Sequence, residues 1–252
     1  MSNYDFETMN ENAFYDKAKN WSPASIDIRP LMRTVYLWMM FGLLTTAGIS
    51  AFVASQPIEA IAQLANFMLP IVLLQLGLVI GINWGFNKLS PSMAAILFFA
   101  YAALNGLLFG VIFFSYIAAG QSMAIANAFI TTAGLFGTMT VIGYTTKVDL
   151  SKYGSFLMMA VIGLFIAILV NMFLGSSVLD LVISVIGVLV FTALTAYDTQ
   201  RIKEMAQSLV GQGQSQSDMA AKLAIMGALK LYLDFINLFL FLLRLFGGGG
   251  RD

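Results

Sequence analysis

A chain of 252 residues, 59% hydrophobic and 10% charged, cannot cover a water-facing surface, because soluble domains carry about 25% charged residues. Lys plus Arg equals Asp plus Glu at 13 each, so the basic excess of a nucleic-acid binder is missing. Cysteine and histidine are absent; this excludes disulfides, thiol catalysis and thiolate metal sites, and leaves any response near neutral pH to carboxylates.

Residues 1–33 are polar and mixed in charge, which reads as a cytoplasmic tail. They lack the short apolar core of a cleaved secretory signal, so the first spanning helix is expected to direct insertion. Trp21 and Trp38 are expected near the headgroups.

Seven apolar stretches follow: Val35 to Ala54, Leu64 to Phe86, Met93 to Tyr116, Ala124 to Tyr144, Gly154 to Phe173, Val178 to Tyr197 and Leu223 to Phe246. Each is near the ~20 residues that cross a hydrocarbon core. Lipid offers the backbone no partners, so they must be helices. The fold expected is all-α and polytopic, with seven transmembrane helices over 34–246 and a Gly-rich tail at 247–252. Breaks at Gln56-Pro57, Ser90-Pro91, Gly120 to Ser122 and Gly175 to Ser177 give short connections. From Arg201 to Lys222 the Gly/Gln/Ser run at 211–217 reads as a longer, flexible linker. Gly106 and Gly110, spaced as GxxxG, are expected to pack helices within the monomer.

Basic residues alternate between connections. Lys17, Lys19, Arg29 and Arg33 precede the first span, Lys88 follows the second, Lys147 and Lys152 follow the fourth, and Arg201, Lys203 and Lys222 follow the sixth. The positive-inside rule therefore predicts a cytoplasmic N-terminus. Seven crossings place the Gly-rich tail outside, against Arg244 and Arg251; a re-entrant last segment would remove that conflict.

The last stretch carries charge in its interior. At ~100° per residue, Lys230, Asp234, Asn237 and Arg244 fall within a face roughly 80° wide, and every other side is apolar. Such a helix belongs at the middle of a bundle, its stripe turned toward partners or a water-filled cavity. Asp198 ends the sixth stretch, with Thr192, Thr195 and Thr199 along one polar side. The sixth and seventh stretches join on the cytoplasmic side, so Asp198 and Asp234 should lie in the same half of the membrane. The bland reading pairs each acid with a nearby base, Asp234 with Lys230 and Asp198 with Arg201. The sharper one brings the two acids together. Two close carboxylates in low dielectric hold one shared proton to a higher pH than a free acid does. The same oxygens suit a hard cation such as calcium, which protons would compete for.

At these residues the chain resembles the Bax inhibitor-1 (transmembrane Bax inhibitor motif) family. Leu194 to Gln200 and Leu231 to Phe239, closed by Leu242-Leu243-Arg244, are similar to that family's last two helices; Gly143 to Lys147 and Ala103 to Gly106 are similar to its bacterial members. The resemblance runs from about Thr34 to Phe246. It implies a seven-helix bundle with the final helix at its centre, in a bacterial inner membrane, acting as a pH-sensitive calcium leak without a resident cofactor, calcium being the permeant or bound ion. The family's paired-aspartate sensor carries over onto Asp198 and Asp234. In some members an arginine on the second helix latches that sensor. An ungapped match places Lys88 there, without the planar fork of arginine; its plain reading is a topology residue.

Two other classes compete. Anti-death and protease-regulating roles attributed to the family allow a non-catalytic regulator that binds other membrane proteins. Tyr-Asp on one helix and Asp on the next also resemble intramembrane aspartyl proteases, in which two carboxylates share a proton and activate water. Here Leu231-Tyr232-Leu233 stands where those proteases have Gly-x-Gly before the second acid, and their Pro-Ala-Leu segment is missing. No Walker, GxSxG or HExxH motif appears.

Overall fold

The computed structural model describes residues 27–85, 89–211 and 218–248; among them the chain is built from helices, with no strand. Helix α1 is Arg29–Ala54, entered through Pro30, so residues 29–33 belong to the helix and not to the tail. The second span is broken. α2 (Ile58–Ala65) and α3 (Met68–Gly85) are separated at Asn66-Phe67, and the pair is bent by 54°. Pro70 in the first turn of α3 explains the break, since its ring would clash with the Asn66 carbonyl in a continuous helix. α4 (Pro91–Ala118) starts with the Ser90 hydroxyl accepting from Met93 N–H at 3.2 Å. α5 is Ser122–Thr145. A turn follows in which Asp149 accepts from Ser151 N–H and Oγ, which holds its carboxyl below the usual carboxylate range. A 3-10 turn at Ser151–Tyr153 leads into α6 (Gly154–Leu174), which ends at Gly175 in a left-handed conformation with φ 62°. α7 is Ser177–Gly211 and α8 is Asp218–Gly247.

Six helices are long and apolar enough to cross a membrane, and the bent α2–α3 pair brings the number to seven. The central position expected for the last helix is observed. In α8, 72% of the spanning window is buried, against 11% for α6, which lies outside on α7. Around α8 stand α1, α4, α5 and α7. Its Phe235 packs edge-on against Phe129 and Phe136, and Phe239 edge-on against Phe113, while Phe239 meets Phe109 and Phe241 meets Phe191 with tilted rings. Small residues set the other contacts. A Cβ on Gly106 would meet Ile49 and the Thr46 carbonyl, and one on Gly110 would meet Val53 and the Ser50 carbonyl, so this pair packs α4 on α1 within the monomer. Trp38, on α1, packs against the Phe99 ring of α4 with centroids 5.7 Å apart.

α7 corrects the expected boundaries. At 1.5 Å per residue its 35 residues span about 52 Å, well beyond the ~30 Å of hydrocarbon. Asp198 is thus interior to the helix, and Arg201 and Lys203 ride on it instead of in a loop. Beyond the apolar stretch, Ile202 and Ala206 are fully buried on one face, while Arg201, Glu204 and Gln207 are exposed on the other. Lys222 likewise lies on α8. Most of the Gly/Gln/Ser run, 212–217, is outside the described residues.

One buried polar cluster joins three helices. Thr46 Oγ1 lies 2.6 Å from the Tyr232 hydroxyl and 2.9 Å from the Ala102 carbonyl oxygen, and Tyr232 is fully buried between the Phe98 and Tyr101 rings. Tyr232→Phe should cost about 1 kcal/mol, because Thr46 keeps the Ala102 carbonyl; Thr46→Val should cost about 2 kcal/mol, because it leaves the buried Tyr232 hydroxyl with the Asn105 side chain alone and removes a buried bond to the Ala102 carbonyl. Thermal melts of the purified variants check that order.

Candidate functional site

α7 and α8 run antiparallel, and near their common centre the register sets Asp198 level with Lys230. Lys230 Nζ lies 3.5 Å from Asp198 Oδ1, in an ion pair that crosses between the helices. Asp234 is one turn further along α8, where its charge interacts with both Asp198 and Lys230. The two acids are buried, at 8% and 4% exposure, whereas the Lys230 side chain is 39% exposed. Lys230 is the cation in contact, and Arg201, which lies about one turn along α7, also acts on Asp198 through its charge. Asp234 Oδ2 is buried without a hydrogen-bond partner among the described residues, an arrangement that is costly for an ionised oxygen.

The neighbouring hydroxyls lie on the same side of α7. Thr195 is fully buried and donates to the Phe191 carbonyl at 2.8 Å. Thr199, also fully buried, lies beside the Tyr36 hydroxyl of α1. Asn237 donates its amide to Leu233 O at 2.8 Å. Arg244 belongs to a different place. It is 4.0 Å from Asp180 Oδ1 and over the Phe241 ring, in a 320 Å³ pocket at the opposite end of the bundle with Tyr116 and Gln121. The polar stripe of α8 is thus divided between two sites.

Neither pairing expected within a helix is the one formed. Lys230 bonds across to Asp198 and not to Asp234 one turn away, while Arg201 Nη1 reaches the Tyr197 hydroxyl at 3.4 Å. Lys88, expected as a latch, lies outside the described residues. No group of three or more acids gathers among the described residues. Calcium takes 6–8 oxygens, more than two carboxylates supply.

A profile of the family described as inhibitor of apoptosis-promoting Bax1 matches residues 28–251, nearly all of the described bundle. The chain belongs to the Bax inhibitor-1 family. Among relatives of this Bax inhibitor-1 protein, an uncharacterized protein of Deinococcus radiodurans is 45% identical over 225 residues, covering 89% of this chain and 92% of its own. The inner membrane protein YbhL of Escherichia coli is 44% identical over 222 residues, 87% of this chain and 92% of YbhL. An uncharacterized protein of Borreliella burgdorferi is 42% identical over 230 residues, 88% and 95%.

Sequence reasoning gave no role to a clasp beside the acids in this family member. Gln200 donates to Val148 O and accepts from Leu150 N–H, both at 2.7 Å, and Lys203 Nζ donates to Tyr144 O at 2.7 Å. Together they strap the end of α5 and its loop onto α7, within a turn and a half of Asp198. Their partners are main-chain atoms, which leave no residue-type signal in a sequence.

Proposed function

We propose that this protein is a proton-gated calcium leak of a bacterial inner membrane, with its N-terminus cytoplasmic and with Asp198 and Asp234 as the gate. The observation that carries the reading is the burial of two carboxylates at one crossing of α7 and α8, with Lys230 the cation in contact and Asp234 Oδ2 left without a hydrogen-bond partner among the described residues. Membership of the family and the inner-membrane location of YbhL support it, as does the alternation of basic residues between connections.

With both acids ionised, Lys230 holds Asp198 and ties α8 to α7, while Asp234 offers oxygen to a passing cation. Calcium, a hard ion, competes with Lys230 for these oxygens and brings its remaining ligands as water. A proton on the pair removes the charge on which both attractions depend, and the packing of α7 on α8 changes with it. Lys230, on α8 itself, serves as a basic partner of the pair. Because protons and calcium seek the same oxygens, raising calcium should move the pH response toward lower pH.

The test is calcium flux through proteoliposomes holding Asp198→Asn or Asp234→Asn. Either variant should lose most of the pH dependence, since asparagine cannot take up the proton. Unchanged flux at every pH in both variants overturns the assignment.

A further inference from the structure

A second pocket lies at the N-terminal end of α1, on the side of the bundle. α1 and α5 each pack on α7 and α8 but scarcely on each other, and the gap between them is a cavity of about 270 Å³. Its wall is largely carbon from Met32, Tyr36, Val141 and Tyr144, and Arg29 and Arg33 stand at its rim. None of the described residues lining it is acidic. Asp27 engages Arg29 from outside, at 2.8 and 3.0 Å, whereas Arg33 has no acidic partner among the described residues. Lys203 stands behind the wall, its Nζ over the Tyr144 ring.

Beyond the pocket the same two helices carry exposed apolar side chains: Leu37, Met40 and Phe41 on α1 and, farther along α5, Ile130. An arginine rim, a carbon wall, interfacial tyrosines and an apolar track leading away from them describe an amphiphile with an anionic head. We propose that this pocket binds the phosphate headgroup of an anionic phospholipid, with Arg33 as the principal phosphate contact and the acyl chains along α1 and α5. Free phosphate would satisfy the arginines but not the carbon wall and track. The site also borders the gate, because Tyr36 of its wall lies beside Thr199, the neighbour of Asp198. The lipid assignment stands on the pocket alone and does not require calcium conduction.

Native mass spectrometry of the full chain ejected from nanodiscs of equimolar phosphatidylglycerol and phosphatidylcholine tests it. The wild type should retain phosphatidylglycerol over phosphatidylcholine by about fivefold, the preference expected of one well-placed arginine. Arg33→Gln should bring that ratio near one and Arg33→Lys should keep most of it, while Lys152→Gln, in a loop at the same end, should leave it unchanged. Equal retention of the two lipids by the wild type, or full selectivity in Arg33→Gln, overturns the proposal. Loss of the bound lipid on adding millimolar inorganic phosphate overturns it too, in favour of a free-anion site. If Arg33→Gln does not purify as a folded monodisperse protein, the wild-type ratio and the phosphate arm decide the question.

Discussion

Replacing Lys230 by methionine is expected to raise the pH at which calcium flux changes by about one unit. The lysine is the only cation in hydrogen-bonding reach of Asp198 among the described residues, and its charge also acts on Asp234. An opposite charge within about 4–6 Å favours the ionised form of an acid by roughly 1–3 pH units. Lys230 is more than a third exposed and its contact is long, which puts the effect at the low end. Removing it makes the ionised pair less favourable, so the pair takes up its proton at a higher pH. Lys230→Arg should keep the midpoint near that of the wild type. Flux measured as a function of pH in the same proteoliposomes reads the shift directly; a midpoint that stays fixed in Lys230→Met would mean that Lys230 serves only the packing of α8.

Gly143→Leu should separate α5 from α7 and cost about 3 kcal/mol or more. A Cβ at Gly143 would overlap the carbonyl group and Cα of Ala196, main-chain atoms that cannot turn aside as a side chain does. Overpacking in well-packed cores costs about 1–3 kcal/mol when side chains can move, and here they cannot. Ala196 precedes Asp198 by two residues, so the displaced helix would carry the carboxylate with it and blunt the pH response as well. Gly134 and Gly137 on the same helix have open space where a Cβ would stand. Gly134→Ala and Gly137→Ala should be neutral or stabilising by up to about 1 kcal/mol. Thermal melts of the three variants separate a close approach from a general loss of glycine in α5.

The broad architecture was legible because lipid allows few solutions: apolar stretches of the right length become helices, and a polar stripe on the last one marks it as central. Hydropathy alone was blind to the rest of α7. Its mean falls after Tyr197, yet Ile202, Ala206 and Leu209 keep helical spacing, and a reading by period would have carried the helix to Gly211. Pro70 accounts for the break before α3, yet it lies within an apolar stretch whose hydropathy runs on unbroken. Asp198 and Asp234 were legible as candidates; the ion pair between Asp198 and Lys230 was not, because the register of α7 against α8 is set by packing such as Gly187 under Phe241 and Gly227 beside Ile202. The arginine pocket escaped notice for a related reason. Arg29 and Arg33 read as topology charges until α5 is placed beside them.

The central claim is that the purified chain alone passes calcium under the control of Asp198 and Asp234. Calcium entry into sealed proteoliposomes of the wild type, followed across about pH 5 to 8, tests it most directly. A flux above that of protein-free vesicles, changing with pH through a transition that moves to lower pH as external calcium rises, is the predicted result. Wild-type vesicles that admit no more calcium than protein-free ones at any of these pH values would contradict it.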